Sequence, residues 1–157
     1  MKSLKSRGIR IDGVGIQLNG SPTRSSAEEL EYAITNLAAA GVKVMTTELD
    51  IRTRTCGYRG TDVGRINRWR TRDSNTAAPE TQKKLAEKYT EIFSVLIKHR
   101  KDVTHVTFWG VYDGTTWIGI SPLLFDRKYQ PKEAFFTVVK TAKEQAVETS
   151  KCRRIAV

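Results

Sequence analysis

The chain has 157 residues, with 27 Lys and Arg against 17 Asp and Glu, a net charge of +10. Hydrophobic residues make up 39% and charged residues 28%, which excludes a disordered chain and suits one domain with a sizeable core. No run approaches the ~20 apolar residues of a membrane span, and the basic start Met1–Arg10 lacks the apolar run of a signal peptide.

Residues 2–8 read as a basic helix end closed by Gly8, and a short buried strand follows from Gly13 to Gln17. Gly20-Ser21-Pro22-Thr23 is a loop. Ser25-Ser26 followed by Glu28 and Glu29 is a helix start: a serine cap satisfies free N–H groups and the acids suit the helix dipole. Leu30, Ile34, Leu37 and Ala38 recur at helical spacing, and Gly41 stops the helix. Val42 to Thr47 is a β-type run ending at Glu48-Leu49-Asp50.

Residues 51–79 are rich in Arg, Thr, Gly and Asn, and a long loop of this kind is usually functional. Helix resumes near Glu80, with Leu85, Tyr89, Ile92, Phe93, Leu96 and Ile97 on its apolar face through about His99. Val103 to Trp109 is the third strand, and a polar loop leads to a last helix from about Pro131 that carries Phe135, Phe136, Val138 and Val139. Residues 147–157 read as a basic, frayed tail. Single strands alternating with helices predict an α/β fold of parallel βαβ units. A complete (β/α)₈ barrel needs about 250 residues, so only part of one fits this length.

In parallel α/β folds functional groups gather at the C-terminal strand ends. Those ends are Gln17-Leu18-Asn19, Glu48-Leu49-Asp50 and Trp109 to Asp113. Carboxylates attack or protonate a glycosidic bond, and aromatic faces pack on the apolar face of a pyranose ring. The two cysteines, Cys56 and Cys152, lie far apart with no metal-type spacing, so neither a disulfide framework nor a zinc site is indicated. His99 suits the dipole at its helix end, and mid-strand His105 is expected to be packed.

Four segments, in order, resemble the C-terminal part of glycoside hydrolase family 10, the retaining endo-1,4-β-xylanases. They are Ile11 to Gln17; Gly41 to Asp50 with its T-E-L-D ending; Val106 to Trp117; and Pro122 to Asp126 with Tyr129 to Lys132. The resemblance covers about residues 2–146 and implies a partial TIM barrel of about three βα units, the family's strands 6–8. It implies that Glu48 is the nucleophile, that Gln17 and Asn19 support it, that Asp50 stands behind it, and that Trp109 and Trp117 line the sugar subsite. Asp113 and Asp126 are assigned only the support of loop geometry.

The resemblance further implies β-1,4-xylan or xylo-oligosaccharide as substrate, no cofactor, no membrane partner and a secreted or periplasmic location. The family has His where this chain has Asn19, an amide that cannot titrate. It often has Arg where this chain has Ile118, and the loop Gly119-Ile120-Ser121 is short. The family's general acid/base ends an earlier strand, in a segment like W-D-V-V-N-E that is absent here. The missing N-terminal part of the barrel is therefore an expected partner, and the isolated chain is expected to be inactive. A competing reading makes the Arg-rich loop 52–72, with Tyr58 and Trp69, a non-catalytic basic module for polysaccharide or nucleic acid. The absence of any nucleic-acid motif disfavours it.

Overall fold

The computed structural model describes residues 1–20, 26–52, 78–116 and 121–155. Among them the element order is α1 (Lys2–Ser6), β1 (Gly13–Ile16), β2 (Asn19–Gly20), α2 (Ala27–Ala39), β3 (Lys43–Ile51), α3 (Pro79–Lys98), β4 (Val103–Phe108) and α4 (Glu133–Ile155). Helix α2 starts where its sequence demands. Ser26 Oγ accepts from the Glu29 N–H at 3.1 Å, and Glu29 Oε2 accepts from the Ser26 N–H at 3.2 Å. It ends before Gly41, whose φ of +71° a side chain would resist. Helix α4 runs on to Ile155, so most of the stretch read as a frayed tail is helical.

Among the described residues β1, β2 and β4 all pair with β3 in parallel, as alternation of strand and helix requires. Strand β3 is central. On one side it pairs with β1 from Gly13↔Lys43 to Ile16↔Thr46 and then with β2 at Asn19↔Asp50 and Gly20↔Ile51. On the other it pairs with β4 from Val44↔Val103 to Leu49↔Phe108. Among the described residues the outer strands do not meet each other, so the sheet is an open part of a barrel wall.

The pairings also show a register shift. From Thr46 to Asp50, β3 advances one residue more than Ile16 to Asn19 beside it; from Thr46 to Leu49 it advances one more than Val106 to Phe108. The extra residue of β3 therefore lies within Thr47-Glu48-Leu49. Such a bulge bends the strand and re-aims its side chains.

One face of the sheet is packed. Val44, Leu49 and Ile51 meet Leu30 and Ile34 of α2 and Leu85, Tyr89, Ile92 and Leu96 of α3 in one core. Ala134 at the start of α4 joins it. On the other face two glycines admit their neighbours closely: a Cβ on Gly13 would lie 3.1 Å from Met45 Cε, and one on Gly15 would lie 2.6 Å from Thr47 Cγ2. His105 is exposed and contacts Thr104 Oγ1 at 3.1 Å. The expectation of a packed histidine fails because His105 pairs with Met45 away from the core, whereas Val103, Val106 and Phe108 of the same strand pack against it.

Candidate active site

The ends of β1, β3 and β4 bring together residues far apart in sequence. Glu48 sits in the segment that holds the extra residue of β3, with its side chain half-buried. Gln17, just past β1, donates from Nε2 to Glu48 Oε1 at 2.8 Å. This bond fixes one carboxylate oxygen and leaves the group acceptor capacity elsewhere.

The Asn19 amide stands between two carboxylates. In one orientation its nitrogen donates to Glu48 Oε2 at 3.4 Å; turned over, it donates to Asp50 at 2.8 and 3.3 Å. The turned orientation is better bonded, so Asn19 serves Asp50 and Gln17 is the close donor to Glu48. Asp50 has 0% exposure, which removes it from contact with a substrate.

Trp109 follows β4 directly. Its N–H donates to the Leu49 carbonyl at 3.0 Å, which ties it to the residue beside Glu48. Its side chain is 46% exposed, so it is not a core tryptophan. Trp117 lies outside the described residues, as do Ile118, Gly119 and Ile120 and all of the Arg-rich loop from residue 53 to 77.

Behind these groups lies a buried polar layer. Asp113 Oδ2 accepts from Lys132 Nζ at 2.9 Å, and its Oδ1 accepts from the Leu123 N–H at 2.9 Å. Lys132 also donates to the Ser121 carbonyl at 2.8 Å. Burial raises the Asp113 carboxyl above its ordinary value although Lys132 pulls it down, and burial lowers the Lys132 ammonium although Asp113 pulls it up. Asp126 makes a tight turn, its Oδ1 accepting from the N–H groups of Lys128 at 2.7 Å and Gln130 at 2.8 Å.

Tyr89 is the member that sequence reasoning missed. It reads as one more apolar residue of α3, yet its hydroxyl donates to the Pro122 carbonyl at 2.8 Å. Its phenol is raised well above the usual value by burial, then by the charges of Asp50 and Asp113. No local signal marks a contact to a loop that distant. His99 caps the C-terminal end of α3, as its sequence position predicts, and its Nε2 also lies 3.3 Å from Glu31 Oε1 on α2. Among the described residues no group of His, Cys, Asp and Glu is arranged to hold a metal ion.

The parallel strands gather carboxylates, amides and a half-exposed tryptophan at their C-terminal ends, where α/β folds place functional groups. The model of glycosyl hydrolase family 10 matches residues 1–141, and the chain belongs to that family. An endo-1,4-β-xylanase of Geobacillus stearothermophilus is 36% identical over 149 residues, which are 88% of this chain and 41% of the relative. A solved family 10 endoxylanase from a sugarcane soil metagenome matches with a TM-score of 0.76 and 31% identity, over 88% of this chain and 44% of its own. Another solved structure, a mutant in complex with xylotriose, matches with a TM-score of 0.73 and 34% identity, over 88% of this chain and 42% of its own. The chain thus spans 41% and 39% of the length of two of the curated relatives it matches, and 11% of another.

Proposed function

We propose that residues 1–146 form the C-terminal catalytic segment of a retaining endo-1,4-β-xylanase, with Glu48 as nucleophile. The observation that carries this reading is the Gln17–Glu48 hydrogen bond of 2.8 Å at a strand end, beside the half-exposed Trp109. In this mechanism the Glu48 carboxylate attacks the anomeric carbon as the glycosidic C–O bond breaks. A general acid gives its proton to the leaving oxygen. Water, deprotonated by the same group, then displaces Glu48 from the covalent intermediate. Gln17 holds the attacking group in one rotamer, and Trp109 packs on a sugar ring.

The second carboxyl must stand about 5–5.5 Å from the nucleophile. Asp50 and Asp113 are buried, at 0% and 3% exposure, and so cannot reach a glycosidic oxygen. By the family resemblance, the proposal places the acid/base outside this chain, on the N-terminal part of a barrel. An extracytoplasmic location belongs to the same proposal and rests on the family resemblance; no helix among the described residues is long and apolar enough to cross a membrane.

The test uses a xylobioside with a fluorine at C2 and a dinitrophenolate leaving group, which departs without a proton. Mass spectrometry of the 157-residue chain should find the 2-fluoroxylobiosyl group on Glu48, and Glu48→Ala should not be labelled. Label on another residue, or none, overturns the nucleophile assignment. Turnover of unactivated xylan that disappears in Glu48→Ala overturns the claim that the acid lies elsewhere.

A further inference from the structure

The loop between β4 and α4 carries aromatic surface that the site above does not use. The rings of Tyr112 and Tyr129 stack with centroids 4.0 Å apart and planes inclined by 28°. Tyr112 is half-buried, whereas Tyr129 is 61% exposed. A side-chain hydrogen bond to Tyr112 raises the Tyr129 phenol above its ordinary value. One face of the Tyr129 ring is thus covered by Tyr112, and much of the side chain meets solvent.

The ring is held in place by its turn. Tyr129 has a φ of +61°, a left-handed conformation that a bulky residue rarely adopts. Asp126 holds it there: its carbonyl accepts from the Tyr129 N–H at 3.1 Å, while its carboxylate accepts from Lys128 and Gln130 on either side. An antiparallel bridge between Phe125 and Pro131 closes the turn. Under Tyr112, the Asp113 N–H donates to the Phe125 carbonyl at 2.9 Å and locks the two parts of the loop together. An exposed aromatic ring fixed in advance loses little freedom when a ligand covers it.

The pair is also continuous with the candidate site. Tyr112 follows Trp109 by three positions, so their Cα atoms lie within ~11 Å. Val111 between them is 73% exposed. The residues around the ring, Arg127, Lys128 and Gln130, are exposed and polar. A single ring in such a setting is too narrow for a stable protein interface, which needs about 20–30 residues a side. It suits one pyranose ring, whose apolar face stacks on the aromatic while its hydroxyls meet polar neighbours.

We propose that the Tyr112–Tyr129 pair is a second saccharide contact, taking a xylopyranose unit of a β-1,4-linked chain beyond the unit that packs on Trp109. It rests on the xylan reading above. The test is calorimetric titration of the 157-residue chain with xylotriose and xylohexaose, in wild type, Tyr129→Ala, Tyr129→Phe and Trp109→Ala. Tyr129→Ala should weaken xylohexaose binding about five- to tenfold and leave xylotriose binding unchanged. Tyr129→Phe, which keeps the ring, should bind xylohexaose as wild type does. Unchanged xylohexaose affinity in Tyr129→Ala, with both ligands weakened by Trp109→Ala, overturns this inference while the xylan reading stands. Equal loss for both lengths in Tyr129→Ala overturns it in favour of a structural role. An effect of Tyr129→Ala on sedimentation alone overturns it in favour of a protein contact. Failure of wild type to bind either ligand overturns both readings.

Discussion

Lys132 Nζ lies 2.9 Å from Asp113 Oδ2, and the two side chains are 6% and 3% exposed. The pair pins the loop after β4 to the start of α4. Burial shifts both groups toward their neutral forms against their mutual attraction, so the pair adds little beyond what well-packed apolar groups would. Breaking it is another matter, because the remaining charge is stranded. Asp113→Ala should cost about 3–5 kcal/mol in urea unfolding, and Asp113→Leu combined with Lys132→Met should recover only part of that loss, because the Leu123 N–H and the Ser121 carbonyl still lose their partners.

Glu31 joins α2 to the end of α3 through Lys98 and His99. The hydrogen bond from Lys98, then that from His99, holds its carboxyl below the ordinary 4.5. A carboxylate with a depressed folded pKa stabilises the fold above its unfolded value and loses that contribution as pH falls through the folded one. Wild type should therefore be more stable than Glu31→Gln at neutral pH. The difference in thermal midpoint should shrink as pH drops below 4.5, and it should shrink in high salt at neutral pH because the pair is partly exposed to solvent. A difference that grows on acidification would sink this account.

Gly110 follows Trp109 with a φ of +141°, and a Cβ there would lie 2.8 Å from Leu123 Cδ1. Gly110→Ala should destabilise the chain by about 1–3 kcal/mol. Because the strain falls on the peptide next to Trp109, the variant should also bind xylo-oligosaccharides more weakly than Gly8→Ala does, where a φ of +79° strains a turn before β1 and a Cβ meets no neighbour within 4 Å. Titration of both variants beside their denaturation curves checks this.

Ser26→Ala removes one half of the capping box of α2. The expected loss is about 1 kcal/mol, read as a lower urea midpoint at unchanged slope. Ser26→Thr should keep most of the stability.

Much of the chain is legible without coordinates because its signals are local. The capping serine, the spacing of Leu30 and Ile34, and the stop at Gly41 each act within a turn or two of helix, and the structure places α2 between them. The β-type run from Val42 and the T-E-L-D motif predict β3 and its polar end, though the strand continues through the motif to Ile51. The extra residue in Thr47-Glu48-Leu49 is not legible, since register is a relation between strands. Nor is the turn of Asn19 toward Asp50: both acids lie within reach of the same amide, and hydrogen-bond geometry decides between them.

The sequence by itself determined the three main strands, the helices between them, their order and the family, though not β2 or the reach of α4 to Ile155, because periodicity, caps and motifs are carried by neighbouring residues. Only the tertiary structure decided that Gln17 grips Glu48, that Asp113 and Lys132 are buried as a pair, and that Tyr112 backs an exposed Tyr129. Those partners meet through strand register and loop closure. Their contacts depend on how distant segments pack, a relation that no local pattern of residues specifies.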